Sequence, residues 1–277
     1  GDLGHYDQPI VKDPAPPPAC DYLMVESTYG DRLHGEENAG DELARIIKEA
    51  VRLGGPILIP AFAVGRTQEI LYLIRELEDQ SKIPSLPVFV DSPMAAQATA
   101  VYNRWTEEHD EEYASILAKK VHPLRTDWMR TAATREESKQ LNNLKGPRII
   151  ISASGMLTGG RVLHHAMRVL PDPKATIIFV GFQAAGTIGR RVLDGENEVR
   201  IMKQWTPVKC QVRRVDGFSA HADWQTILKW LESLESAPKR VYTTHGEPAA
   251  AEAMAQRIRE RFGWDVKVPI LDQTDIL

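Results

Sequence analysis

Cysteine is scarce in this chain, with only Cys20 and Cys210 among 277 residues. Two thiols so far apart in sequence build no disulfide framework, and neither stands in the Cys-x-x-Cys spacing of a metal site. Both read as ordinary thiols of a reducing, cytoplasmic environment. No apolar run approaches the ~20 residues that span a bilayer, so neither a transmembrane helix nor a membrane partner is expected. Nothing at the visible start reads as a signal peptide, although the chain opens at Gly1 without an initiator methionine. An excess of positive charge is missing too. The net charge of −4 argues against a protein that coats nucleic acid non-specifically, yet it leaves room for an enzyme whose positive potential is confined to a cleft. No repeat at solenoid periods is present. What the chain does have is length and 43% hydrophobic content, enough for a substantial core and one or two domains.

After the extended connector Pro14-Ala15-Pro16-Pro17-Pro18, a strand is expected over Asp21–Glu26. From Glu36 onward helical and extended patterns alternate. Helical spacing covers 39–53 (ending at Gly54-Gly55), 67–79, 94–105, 112–121, 135–144 and 162–170. Strand-like runs cover 56–61, 86–90, 148–153, 175–181, 211–215 and 240–243. Alternation of this kind predicts an α/β fold on a mainly parallel sheet covered on both faces.

Two histidines stand out by position. His221, in Asp216-Gly217-Phe218-Ser219-Ala220-His221-Ala222-Asp223, and His245, in Thr244-His245-Gly246-Glu247, each follow a strand-like run and precede an amphipathic helical stretch. Both imidazoles are therefore expected on loops at one edge of a sheet. Taken singly, each upstream carboxylate has an ordinary explanation. Asp2 between glycines suits a turn, and Glu26 at the end of an apolar strand suits backbone N–H groups.

Read together, Gly1-Asp2-Leu3-Gly4, Glu26-Ser27-Thr28-Tyr29-Gly30, the His221 segment and the His245 segment resemble the β-CASP branch of the metallo-β-lactamase superfamily. Its members are zinc-dependent nucleases acting on RNA or DNA. The resemblance implies the second half of a metallo-β-lactamase αββα sandwich, residues 1–30 and 216–277, with a Rossmann-like β-CASP domain inserted at 31–215. It makes Asp2 the aspartate that bridges two Zn2+, since a carboxylate offers one oxygen to each cation. Glu26 becomes the acid of motif A, His221 the motif B histidine and His245 a motif C zinc ligand. A carboxylate beside an imidazole stabilises the imidazolium, so His221 is expected to be a general acid that protonates the departing oxygen. Asp223 either orients His221 or caps the next helix, the cap being favoured.

The family draws most of its zinc ligands from an N-terminal His-x-His-x-Asp-His run, which is absent from these residues. The resemblance therefore reads the chain as a C-terminal fragment whose partner is the missing N-terminal half of the same protein. Two ligands are too few for a catalytic zinc, so weak or no zinc binding and no cleavage are expected of the fragment alone. Half a sandwich would also leave sheet residues such as Val241 and Tyr242 short of cover, which points to a homo-oligomer or to rearranged packing.

Three glycine-rich loops, at 61–69, 152–161 and 181–190, each follow a strand and lead into a helical turn. Backbone N–H groups there favour anions, and a nearby arginine adds a bidentate phosphate partner. Arg66, Ser154, Gly155, Arg161 and Arg190 are the substrate-binding candidates on this basis. Arg191 and Arg213-Arg214 are further basic spots, each ordinary for a solvated surface. Asp91-Ser92-Pro93 resembles a family segment and equally reads as a helix start. His164 and His165, adjacent on a helix, diverge by about 100° and cannot share one metal. His5, His34, His109 and His122 suggest no role.

The leading functional expectation is an RNA phosphodiesterase using two Zn2+ in the full-length parent, cutting endonucleolytically, with DNA also open as substrate. Phe218-Ser219-Ala220-His221 looks more like the messenger-RNA 3′-end processing nuclease subunits and their bacterial and archaeal relatives than like ribonuclease J. A 5′–3′ exoribonuclease of the ribonuclease J type and a non-catalytic RNA-binding subunit are the alternatives. A small-molecule hydrolase of the lactamase type is disfavoured, because the large insertion and the Glu26–His221 pair have no use there.

Overall fold

The computed structural model describes residues 2–34, 39–119, 121–219 and 221–275. Gly1, the Glu36 start of the alternating region, Lys120 in the helix expected over 112–121, Ala220 of the His221 segment and the final Leu277 lie outside them. In chain order the first elements are β1 (Tyr22–Glu26), α1 (Ala39–Leu53), β2 (Pro56–Pro60), α2 (Arg66–Asp79), β3 (Val88–Asp91) and α3 (Pro93–Arg104). Next come α4 (Glu111–Ala118), β4 (Met129–Thr131), α5 (Arg135–Leu141), β5 (Arg148–Ser152), α6 (Val162–Val169), β6 (Thr176–Val180) and α7 (Ile188–Leu193). The chain continues through β7 (Glu198–Ile201), β8 (Gln204–Pro207), β9 (Gln211–Val215), α8 (Trp224–Leu231), β10 (Arg240–Thr244), α9 (Pro248–Phe262) and β11 (Val266–Lys267).

These elements form two compact units. One comprises Gly1–Gln8, Lys12–Gly35 and Ser219–Leu277, the other Pro9–Val11 and Glu36–Phe218.

The larger unit is built on a parallel six-stranded sheet in the order β4-β3-β5-β2-β6-β9. Its central strands, Pro-Ile-Leu-Ile-Pro, Arg-Ile-Ile-Ile-Ser and Thr-Ile-Ile-Phe-Val, are nearly unbroken apolar runs because both faces are covered. Side chains alternate between those faces. Ile57, Ile59, Ile149 and Ile151 pack with Leu43, Ile47, Ile70 and Ile74 of α1 and α2, while Leu58, Ile150, Ile177 and Phe179 pack with Val162, Ala166 and Val169 of α6. Each of the larger side chains, Val, Leu, Ile or Phe, removed fully from water contributes about 1.5–3 kcal/mol. Helix ends follow local chemistry. Gly54 takes φ 81° just past α1, Ser92 accepts the Ala95 N–H with Pro93 in the first turn of α3, and Thr134 with Glu137 closes a capping box on α5.

Two features were not legible as pattern. β4 has only three residues between helices, and its strand character comes from pairing with β3. β7 and β8 form an antiparallel hairpin whose two-residue turn is Met202-Lys203, with φ of 48° and 69°. That left-handed pair matches the primed turns of tight hairpins, which Asn-Gly normally announces in sequence.

In the smaller unit β1, β10 and β11 form a parallel sheet, and Val25, Val241 and Val266 pack against Ile227, Leu231, Met254 and Ile258 of α8 and α9. The expected lack of cover at Val241 and Tyr242 does not occur. Val241 belongs to that core, and Tyr242 is buried with its hydroxyl donating to Asp275 at 2.7 Å. The exposed apolar side chain on this sheet is Met24, on the alternate face of β1 and 65% accessible. Both cysteines are free, and burial pushes the Cys210 thiol up to about 12. Among the described residues, no helix is long and apolar enough to cross a membrane.

Candidate active site

β1 and β10 run parallel with Glu26 opposite Thr244, so the ends of the two strands are level. Glu26 thereby sits beside the turn that carries His245. The Ser27 hydroxyl donates to the Thr244 carbonyl at 2.7 Å and the Thr28 hydroxyl to the His245 carbonyl at 2.8 Å, tying the two strand ends together. His245 has φ 54°, and a Cβ on Gly246 would stand 2.5 Å from the Ser27 carbonyl oxygen. A tight approach of two backbones therefore sets the direction of His245.

His221 arrives by another route. β9 belongs to the six-stranded sheet and β10 to the three-stranded one, so the two histidines do not follow strands of a single sheet edge as the sequence suggested. The loop after β9 is instead fixed inside the smaller unit. The His221 N–H donates to the Ser219 hydroxyl at 3.0 Å, the Trp224 N–H donates to the Tyr29 carbonyl at 3.2 Å, and Asp223 caps α8 by accepting the Thr226 N–H at 2.9 Å. The helix cap, the favoured of the two roles for Asp223, is the one observed. Its second oxygen accepts the His34 N–H, and His34 Nε2 lies 3.1 Å from the His221 carbonyl. His34, which suggested no role in sequence, thus braces the backbone of His221.

The result is a cluster in which ligand atoms of Asp2, Glu26, His221 and His245 all lie within 4.8 Å of one another. His221 Nδ1 is 2.7 Å from Glu26 Oε2, and the other carboxylate oxygen accepts the Leu3 N–H at 2.7 Å. Burial alone would raise the Glu26 carboxyl, but the hydrogen bond from His221 and those from the Leu3 and Ala222 amides outweigh it and hold it below the usual carboxylate value. Both Glu26 oxygens are thus engaged by donors. Asp2 Oδ1 lies 3.3 Å from His245 Nδ1 and 3.6 Å from His221 Nδ1, and both Asp2 and His245 are exposed. Asp2 and His245, an exposed carboxylate next to an exposed imidazole, could hold a metal ion, whereas both Glu26 oxygens already accept from His221 and from backbone amides.

In the larger unit the three glycine-rich loops lie side by side at the carboxyl ends of β2, β5 and β6. A Cβ on Gly155 would stand 3.3 Å from the Phe62 amide, Gln183 Nε2 donates to the Gly155 carbonyl at 3.1 Å, and the Gly189 N–H donates to the Met156 carbonyl at 3.1 Å. α2 leaves β2 on one face and α6 leaves β5 on the other, so this is the topological switch point of the sheet. The candidate side chains there are already occupied. Buried Arg66 pairs with Glu69 and stacks over Phe218, Arg190 pairs with Asp194, and the Ser154 hydroxyl accepts the Thr158 and Gly159 N–H groups.

Arg161 donates to Asp91 at 2.7 Å and to the Ala132 and Ala133 carbonyls. Asp91 is fully buried and also receives Ser138 and His165 Nε2, the latter at 2.6 Å, while His165 Nδ1 meets Asn142 at 2.9 Å. Burial pushes the Asp91 carboxyl up, but the hydrogen bonds from His165, Ser138 and Arg161 hold it below its ordinary value. Sequence reasoning missed this network, since its members are scattered along the chain. The one available signal was helical phase, which turns His165 inward and leaves His164 outside.

A hydrogen-bonded imidazole–carboxylate pair beside an exposed carboxylate and imidazole, in one chain with a doubly covered parallel sheet, is a group of side chains that could hold a metal ion on an α/β fold. Comparison with known proteins narrows this. Residues 67–192 match the Beta-Casp domain, and residues 205–269 match the Zn-dependent metallo-hydrolase RNA specificity domain. The chain belongs to the β-CASP branch of the metallo-β-lactamase superfamily. It is 35% identical to Ribonuclease TTHA0252 of Thermus thermophilus, over 97% of this chain and 63% of that protein. It is 33% identical to Transcription termination factor FttA of Methanocaldococcus jannaschii, over 91% of this chain and 41% of that protein. Pyrococcus abyssi FttA is also 33% identical, with 91% and 40% covered. The chain thus spans between two fifths and two thirds of the length of these relatives.

Proposed function

We infer that the chain is part of a zinc-dependent RNA phosphodiesterase that cuts endonucleolytically, with His221 as general acid and Glu26 as the group that orients it. The observation that carries this reading is the 2.7 Å contact between His221 Nδ1 and Glu26 Oε2, beside Asp2 and His245. Asp2 and His245 would hold metal. The chemistry supplied by bound zinc is Lewis acidity toward a phosphoryl oxygen and acidification of water. With Nδ1 given to Glu26, the proton that His221 can transfer is the one on Nε2. The buried carboxylate favours the imidazolium and fixes the ring plane, so that proton is aimed at one place when the leaving oxygen needs it.

RNA is favoured as substrate over DNA by the RNA specificity domain matched at 205–269. Resemblance of the His221 segment to the 3′-end processing subunits favours endonucleolytic cutting. A catalytic zinc takes three protein ligands, and this chain offers Asp2 and His245, so two-zinc catalysis needs donors from residues outside these 277. The chain alone is then inactive. A cytoplasmic setting belongs to the same reading, motivated by the two free thiols.

The test is a cleavage assay on a labelled single-stranded RNA, using a form of the protein long enough to carry the full ligand set. Internal cleavage that requires zinc and is lost in His221→Ala supports the reading. Metal-independent cleavage, or full activity in His221→Ala, would overturn it.

A further inference from the structure

The groove between α5 and α6 in the larger unit takes no part in the chemistry above. Its volume is about 1130 Å³, and its walls include Arg135 and Lys139 from α5, Arg161, His164 and Arg168 from α6 and its N-terminal turn, and Gln204 from β8. Among the described residues, no carboxylate lines it. Asp91, beneath it, is offset by Arg161 and hydrogen-bonded to His165.

What sets the cations here apart is that they converge on one groove, whereas the basic residues that stood out in sequence are paired. Arg45, Arg190, Arg191 and Arg261 each stand against a carboxylate, as do Arg213 and Arg214. Among the described residues, Arg135, Lys139 and Arg168 have no carboxylate at ion-pair distance, and all three are exposed. In a chain of net charge −4 this is a local concentration of positive potential, not a general one. The spacings are i, i+4 on α5 and i, i+3, i+7 along residues 161–168, so each set lies on one helix face. At 1.5 Å rise per residue the two files run for about 6 and 10 Å, long enough for more than one phosphate. Among the described lining residues there is no Phe, Tyr or Trp and His164 is the single ring, so successive bases find no stacking platform and contact falls chiefly on the backbone.

We propose that the α5–α6 groove binds the phosphate backbone of an RNA strand without reading its sequence, through Arg135, Lys139 and Arg168. The proposal rests on the RNA reading given above and adds a contact surface that lies outside the Glu26–His221 cluster. An open groove with two files of cations suits a strand better than a small anion, which is usually enclosed by converging donors.

Fluorescence anisotropy with a labelled single-stranded RNA of mixed sequence tests it, on the wild type and on the combined Arg135→Ala, Lys139→Ala, Arg168→Ala variant. Affinity should fall about tenfold, and the slope of log K against log salt should lose about two, near 0.7 for each phosphate contact removed. A Lys139→Glu variant should weaken binding alone, and Arg135→Lys with Arg168→Lys should largely retain it. Unchanged affinity and salt slope in the charge-removed variant, with a native circular dichroism spectrum, would overturn the groove while leaving the RNA reading intact. A wild type that binds no RNA would overturn both. Saturation of the wild type but not the variant by inorganic tripolyphosphate, with equal RNA affinity in the two, would assign the groove to a small anion and overturn the proposal.

Discussion

Glu26 Oε2 and His221 Nδ1 stand 2.7 Å apart although 195 residues separate them in the chain. The carboxylate is buried and the imidazole partly accessible, so one side of the ring is held by protein while the other faces outward. A proton donor is useful only when its orientation is fixed before the leaving group departs. Glu26→Gln keeps the shape of the contact and removes its charge. Cleavage by the metal-loaded protein should fall about 10²-fold, within the usual range for acid catalysis, and the folded content and zinc content should not change. Loss of zinc equal to the loss of activity would show that Glu26 is a ligand instead.

The proposed function gives His221 and His245 different roles, proton donor and metal ligand, and zinc content separates them. His221→Ala should retain metal and lose cleavage by about 10²- to 10⁴-fold. His245→Ala should lose metal as well, because it removes one of two donors offered by this chain. Elemental analysis of both variants after zinc loading and dialysis decides it, and equal zinc loss in the two would contradict the assignment.

The Asp91 network should govern acid stability in the larger unit. A carboxyl held below its ordinary value adds stability that is fully present above the usual carboxylate range and is lost as pH falls through and below about 4. Asp91→Asn removes the anion that faces buried His165 and partly buried Arg161, and should cost about 3 kcal/mol or more at neutral pH. Urea unfolding at several pH values should show a large gap between wild type and variant at pH 7 that narrows toward pH 3. A gap that stays constant would place the effect in packing and not in charge.

Gly246→Ala addresses the turn that aims His245. A Cβ there would lie 2.5 Å from the Ser27 carbonyl oxygen and 2.6 Å from its hydroxyl, so β1 and the turn would have to part. Destabilisation of about 1–3 kcal/mol is expected, as for other overpacked sites, together with weaker zinc retention. An unchanged melting temperature would mean that the turn is softer than the close approach implies.

Much of this was written in the sequence. Apolar runs of strand length alternating with helical spacing gave the α/β architecture, because a strand buried on both faces and a helix buried on one have different periods. Glu26, His221 and His245 were legible as short motifs after strand-like runs, and Asp2 through the resemblance that these motifs carry. Helix boundaries were less so, since α4 and α5 stop three residues before the helical pattern does. β4 and the β7–β8 hairpin exist through pairing with partners elsewhere, and the Met202-Lys203 turn carries none of the residues that favour positive φ.

Only the tertiary structure decided which charges are available. Arg66, Arg161, Arg190, Arg191, Arg213 and Arg214 stood out in sequence as basic spots, and each of them meets a carboxylate in the fold. Arg135, Lys139 and Arg168, which have no such partner among the described residues, carry no motif and face one groove from two helices. The same holds for Asp91 and His165, which a local pattern reads as a helix start and a helix position and which the fold brings to 2.6 Å. Sequence fixes the period of burial along one element at a time, whereas an ion pair or a groove is a relation between elements, set by how a twisted sheet brings their ends together.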